Sequence, residues 1–187
     1  MARQVVYIHG FNSSELSFKA TEFGVYMRGK PERYITPRLH FDPRVALAQL
    51  DSIIDSDTVL LGSSLGGYYA TYFSQLKGCK AVVINPAVRP FLLLNDYLGP
   101  QYNPYQDCHY ELLYEHVEAL KTIYTPKLSN PENLLLLQQT GDEVLPFEEA
   151  VRYYSHCRQI IEFGGDHSFV EFSRYFTTIA KFLTITN

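Results

Sequence analysis

The chain has 187 residues, 46% of them hydrophobic and 19% charged, and its formal net charge is −4 at pH 7. That length and balance predict one folded domain over residues 1–187 and exclude a disordered or coiled-coil chain. With no basic run, the acidic balance also argues against nucleic acid and anionic membrane surfaces as partners.

In chain order, a strand over 4–8 runs into His9-Gly10-Phe11-Asn12-Ser13-Ser14, and a helix is expected over 14–29. A strand over 33–36 and a helix over 43–55 follow. The apolar strand over 58–62 then meets Gly62-Ser63-Ser64-Leu65-Gly66, which opens a helix over 65–77. After a strand over 80–85 the rhythm breaks for some forty residues. It resumes with a strand over 133–139, which ends in Thr140-Gly141-Asp142, and a helix over 146–156. The last pair is a strand over 158–163, running into Gly164-Gly165-Asp166-His167, and a helix over 169–183. Such alternation predicts a compact α/β fold: a mainly parallel sheet with helices on both faces, and functional groups at the carboxyl ends of its strands. Cys79, Cys108 and Cys157 are scattered and odd in number, so free thiols are expected. The first strand begins close to Met1 and no apolar run is long enough to span a bilayer. A cytoplasmic location is the resulting expectation.

G-x-S-x-G between a strand and a helix is the nucleophile elbow of the serine α/β-hydrolases. A tight turn there lifts the Ser64 hydroxyl clear of the sheet, and glycine neighbours avoid colliding with it. Asp142 and His167 follow at two later strand ends, in the order Ser, Asp, His that this fold uses. A serine needs an imidazole to take its proton, and the imidazole needs a carboxylate on its far nitrogen to fix the tautomer. Glu143 and Asp166 are rival acids. Asp142 is preferred because it directly follows the strand-ending glycine. Backbone N–H groups of Phe11 and Leu65 are the expected oxyanion donors, and His9 is read as a hydrogen-bonding prop for its loop. Rival chemistries are weaker: no lysine completes a phosphate loop and no G-x-G-x-x-G opens the first turn. His109 and His116, near Glu111 and Glu115, read as a solvated helix face. No metal and no cofactor are expected.

Residues 86–126 contain Pro86, Pro90, Pro100, Pro104 and Pro126 among many aromatic side chains. Too aromatic for disorder, the segment is expected to form a cap or lid over the pocket. Within it, Arg89 is a candidate to orient a polar part of the substrate, and Phe91 to meet an acyl chain.

Several longer blocks carry a family resemblance. Among them are His9-Gly10-Phe11-Asn12-Ser13-Ser14, Gly62-Ser63-Ser64-Leu65-Gly66-Gly67-Tyr68-Tyr69-Ala70-Thr71 and Asn85-Pro86-Ala87-Val88-Arg89-Pro90-Phe91. Asp96-Tyr97-Leu98-Gly99, Asn103-Pro104-Tyr105, Leu137-Gln138-Gln139-Thr140-Gly141-Asp142-Glu143-Val144-Leu145 and Cys157-Arg158-Gln159 extend them over nearly the whole chain. Together they resemble the small bacterial YqiA-like esterase family of the α/β-hydrolase fold. The resemblance implies a single-domain esterase for short acyl esters, with acyl-CoA thioesters as further candidates. It places the family's serine, acid and histidine on Ser64, Asp142 and His167. An acyltransferase or thioesterase on the same residues, and a hydrolase-fold binding protein with a silent site, are the alternatives.

Overall fold

The computed structural model of the chain describes residues 3–186. Among the described residues eight strands form: β1 (Gln4–Ile8), β2 (Arg33–Ile35), β3 (Val59–Ser63), β4 (Ala81–Ile84), β5 (Gly99–Asn103), β6 (Cys108–Leu112), β7 (Leu134–Gln139) and β8 (Arg158–Glu162). The helices are α1 (Phe18–Met27), α2 (Pro43–Ile53), α3 (Leu65–Lys77), α4 (Pro90–Leu93), α5 (Tyr114–Thr122), α6 (Phe147–Tyr153) and α7 (Phe176–Leu183). Six strands make one sheet in the order β2-β1-β3-β4-β7-β8, and every pairing in it is parallel. The chain winds outward from β1 to β2, then returns to place β3 on the other side of β1. A crevice opens where the direction of winding reverses, at the carboxyl ends of β1 and β3.

Every residue of β3, β4 and β7 is buried. Strands covered on both faces read as unbroken apolar runs, whereas a half-exposed strand would alternate with polar residues. Successive side chains still point to opposite faces. Tyr7, Leu61 and Leu137 pack under α1 and α7 through Phe23, Ile179 and Leu183. Ile8, Leu60 and Leu136 pack on the other face with Leu50, Phe73 and Leu120. Local chemistry marks the helix ends. Pro43 opens α2 while the Asp42 carboxylate accepts the Arg44 N–H at 2.9 Å, and Gly78 ends α3 in the left-handed conformation at φ 73°. Among the described residues no helix is long and apolar enough to cross a membrane.

Three sequence expectations change. The helix expected from residue 14 starts only at Phe18, because Ser14 turns the chain first: its hydroxyl accepts the Leu16 N–H and its carbonyl the Ser17 N–H. The helix expected over 169–183 is broken at its start. Phe169 and Glu171 take positive φ, a 3-10 turn spans Phe172–Tyr175, and only then does α7 begin. The cause is Gln139, whose side chain takes both the N–H and the carbonyl of Val170 and so competes with helical pairing. The 86–126 segment holds more regular structure than its prolines suggest. After α4 and a 3-10 turn come the antiparallel hairpin β5-β6 and then α5, whose Val117 and Leu120 enter the core. His109 and Glu111 therefore lie on an exposed face of β6 and share no helix with Glu115 and His116. His116 is buried in α5, where its Nδ1 accepts the Leu113 N–H at 3.1 Å.

Candidate active site

The turn between β3 and α3 is the best-constrained part of the site. Ser64 sits at φ 55° and ψ −122°, a strained conformation for a side chain with a Cβ. Its surroundings hold it there. The Ser64 N–H donates to the Ile84 carbonyl at 3.1 Å, and its own carbonyl accepts from Gly67 at 2.9 Å and Ala87 at 3.1 Å. A Cβ on Gly62 would strike the Gly66 carbonyl, and one on Gly66 would strike the Ile8 carbonyl. These two glycines let α3 begin hard against the ends of β1 and β3.

His167 arrives from β8 through two glycines at positive φ, Gly164 and Gly165. Its Nε2 lies 3.2 Å from Ser64 Oγ, and its Nδ1 lies 2.9 Å from both carboxylate oxygens of Asp142. The Asp142 side chain is wholly buried, and its Oδ1 also accepts the N–H groups of Val144 at 2.9 Å and Leu145 at 2.8 Å. Those donors offset the desolvation of the carboxylate. An ionised carboxylate only accepts, so Nδ1 carries the ring proton and the Nε2 lone pair faces Ser64. The rival acids are used elsewhere: Glu143 Oε2 accepts the backbone N–H of His167 at 3.0 Å, and Asp166 Oδ1 accepts the Ser168 hydroxyl.

Phe11 and Leu65 border Ser64, and Gly10 approaches so closely that a Cβ there would lie 3.2 Å from Ser64 Cβ. Leu65 is the first residue of α3, where a backbone N–H has no helical partner. Among the described residues neither the Phe11 nor the Leu65 N–H is taken by a hydrogen bond. His9 is buried beneath this loop, with Nδ1 donating to the Gly10 carbonyl at 3.0 Å and Nε2 accepting the Leu39 N–H at 3.3 Å. Burial holds its pKa below the ordinary histidine value, so the ring is neutral.

Two cavities meet at Ser64, Phe11 and His167. One, of about 210 Å³, is apolar and walled by Ala87, Pro90, Leu93, Leu94 and Leu145. The other, of about 340 Å³, is the more polar of the two, with Asn12, Ser13, Lys19, Tyr105 and Ser168 beside the apolar Phe18. Neither contains Arg89 or Phe91. Arg89 pairs with Glu149 at 2.6 Å beside a separate hollow, and Phe91 is buried in the core with its ring centroid 5.5 Å from that of Tyr124. Leu93, on the four-residue α4, and Leu94, in the 3-10 turn that follows, line the Ser64 cavity, whereas Phe91 faces the core.

Sequence reasoning missed two residues that hold the site together. Asn85, wholly buried at φ 39°, donates its amide to the carbonyls of Asp166 and His167 and accepts the Gln139 N–H. Gln139, also buried, accepts the N–H groups of Asp166 and Val170. The available signal was a polar amide at the end of a buried apolar run, which must find partners. Among the described residues no three His, Cys, Asp or Glu side chains gather as a metal site.

This mainly parallel six-stranded sheet with its helices is the α/β-hydrolase fold. Mouse alpha/beta hydrolase domain-containing protein 10 is similar at TM-score 0.74 and 15% identity, over 98% of this chain and 90% of that one. A putative hydrolase from Agrobacterium vitis S4 matches at TM-score 0.74 and 17% identity, over 96% and 87%. Est1E of Butyrivibrio proteoclasticus, with ferulic acid bound, matches at TM-score 0.72 and 11% identity, over 98% and 88%. Residues 4–184 match UPF0227, described as an uncharacterised protein family, and the chain belongs to this YqiA-like family.

Proposed function

We propose that the protein is a serine hydrolase of carboxylic esters that works through an acyl-enzyme on Ser64. The observation that carries this reading is the unbroken line from Asp142 through His167 to Ser64 Oγ, with contacts of 2.9 and 3.2 Å, at the junction of two cavities. In the first step Ser64 Oγ bonds to the acyl carbon as its proton passes to His167 Nε2. Asp142 stabilises the imidazolium so formed. The carbonyl oxygen becomes an oxyanion between the N–H groups of Phe11 and Leu65, which meet charge only as it develops. Collapse breaks the bond to the alcohol, which takes the proton from Nε2. Water then gives a proton to His167 and attacks the acyl carbon, and Ser64 is regenerated as Nε2 returns the proton to Oγ.

The apolar cavity suits the acyl chain. Its wall of Pro90, Leu93 and Leu94 belongs to the 86–126 segment, which we assign as a cap over the acyl site. The polar cavity is left for the alcohol portion. The test is labelling by a fluorophosphonate together with hydrolysis of a p-nitrophenyl ester series. Both should occur and both should vanish in Ser64→Ala. An unlabelled and inactive wild-type protein would instead favour a silent, ligand-binding site.

A further inference from the structure

Lys19 is the one side chain with a full charge among the described residues lining the polar cavity, which it shares with Ser64 and His167. It is half-buried, and its Nζ donates to the Ser168 carbonyl at 2.6 Å. Among the described residues it forms no salt bridge. The carboxylates of Asp166 and Asp142 act on it only at a distance, and both are engaged by Ser168, His167 and backbone N–H groups. Burial pulls the ammonium pKa down to about 8 despite those two carboxylates. Neither carboxylate pairs with the ammonium directly, so an anion entering the cavity could take that place as a charge-assisted partner. The apolar cavity across Ser64 has no comparable group: among the described residues no Lys, Arg, Asp or Glu lines it.

We infer that the polar cavity receives an anionic group on the leaving portion of the substrate, with Lys19 as its counter-ion. The substrates are then esters or thioesters that join an apolar acyl chain to an alcohol or thiol bearing a carboxylate or a phosphate. The inference rests on the acyl-enzyme reading for which part of the substrate leaves. The anion site itself does not depend on turnover. Lys19 here determines specificity. It takes no part in bond making, because the proton of the leaving group comes from His167. Tyr105 and Phe18, both strongly exposed at the rim of this cavity, offer flat surfaces for the body of the leaving group.

The experiment uses three butyrate esters of similar shape, made from 4-hydroxybenzoate, 4-hydroxyphenyl phosphate and the neutral 4-hydroxybenzamide. Wild-type kcat/KM should favour at least one anionic ester over the neutral one by on the order of ten-fold, the scale of a charge-assisted hydrogen bond. The arm with the larger preference distinguishes a carboxylate from a phosphate. Lys19→Gln should collapse that ratio and Lys19→Arg should keep it. A purely structural lysine, holding the Ser168 loop, would lower all three esters together and leave the ratio unchanged; that result overturns the inference. A parallel arm measures benzoate, phenyl phosphate and benzamide binding to Ser64→Ala by calorimetry. Tighter binding of an anion, lost in Lys19→Gln, supports the site even if no ester is cleaved and the ester reading itself fails. Equal binding of all three overturns it even if every ester is cleaved.

Discussion

Asn85 Oδ1 accepts the backbone N–H of Gln139 at 2.9 Å, while the Asn85 amide donates to the carbonyls of Asp166 at 2.9 Å and His167 at 3.3 Å. One buried side chain thus ties β7, the strand that leads to Asp142, to the loop that carries His167. Asn85→Asp keeps the acceptor and loses both donors, so the histidine loop should loosen. We expect kcat to fall by on the order of a hundred-fold with KM nearly unchanged, as for a small misplacement of reacting groups. Steady-state kinetics check this. A change confined to KM would place Asn85 outside the chemistry.

Ser64→Ala should lower turnover by on the order of a million-fold. Ser63→Ala should keep most of the activity, because Ser63 is the last residue of β3 and does not contact the imidazole. Fluorophosphonate labelling of both variants gives the same answer without a substrate. The reverse pattern would move the nucleophile by one residue.

Asp142→Asn should cost on the order of ten-thousand-fold in kcat, since an amide favours the wrong histidine tautomer. Glu143→Gln retains an oxygen to accept the His167 N–H, so its effect should stay within a few-fold on that physical ground. A dead Glu143→Gln beside an active Asp142→Asn would reassign the acid.

Leu93 and Phe91 should separate wall from core. Leu93→Phe narrows the apolar cavity and should lower kcat/KM for longer acyl esters far more than for acetate, with each methylene worth about 1–3 kcal/mol. Phe91→Ala should instead destabilise the fold by about 3–5 kcal/mol, with no dependence on chain length. A chain-length profile and a thermal melt distinguish the two.

His9 predicts an acid-sensitive term in stability. Its folded pKa is held below the unfolded value of about 6.5, so the unfolded chain binds the proton first as pH falls. The contribution is fully present above that value and is lost as pH drops toward the folded one. His9→Gln keeps a donor for Gly10 and an acceptor for Leu39 but cannot titrate. Between pH of about 7.5 and about 5, the range where histidine titrates, the wild-type Tm should fall further than that of His9→Gln. Parallel curves would mean that folding does not change how His9 binds its proton.

That Ser64, Asp142 and His167 follow strand ends was legible without coordinates because the signals are local. Ser64 and Asp142 each follow an apolar run that becomes a buried strand, His167 follows the half-exposed β8 and its two glycines, and parallel winding brings such strand ends to one edge of the sheet. The start of α3 was legible for the same reason, with Gly62-Ser63-Ser64-Leu65-Gly66 leading into it. The break before α7 was not, since the segment is polar and apolar in helical rhythm, and only Gln139, thirty-one residues earlier in the chain, claims the Val170 backbone.

By itself, then, the sequence determined the alternation of elements and the chemical groups at their ends, which depend on neighbours a few residues away. Tertiary structure decided what those groups face. It sent Arg89 to Glu149 and Phe91 into the core, left Leu93 and Leu94 at the Ser64 cavity, and set Lys19 in the polar cavity opposite. The direction of a side chain on a short helix or a loop is set by contacts made across the whole fold. Packing density and the need to pair every buried polar group choose among local conformations of nearly equal energy.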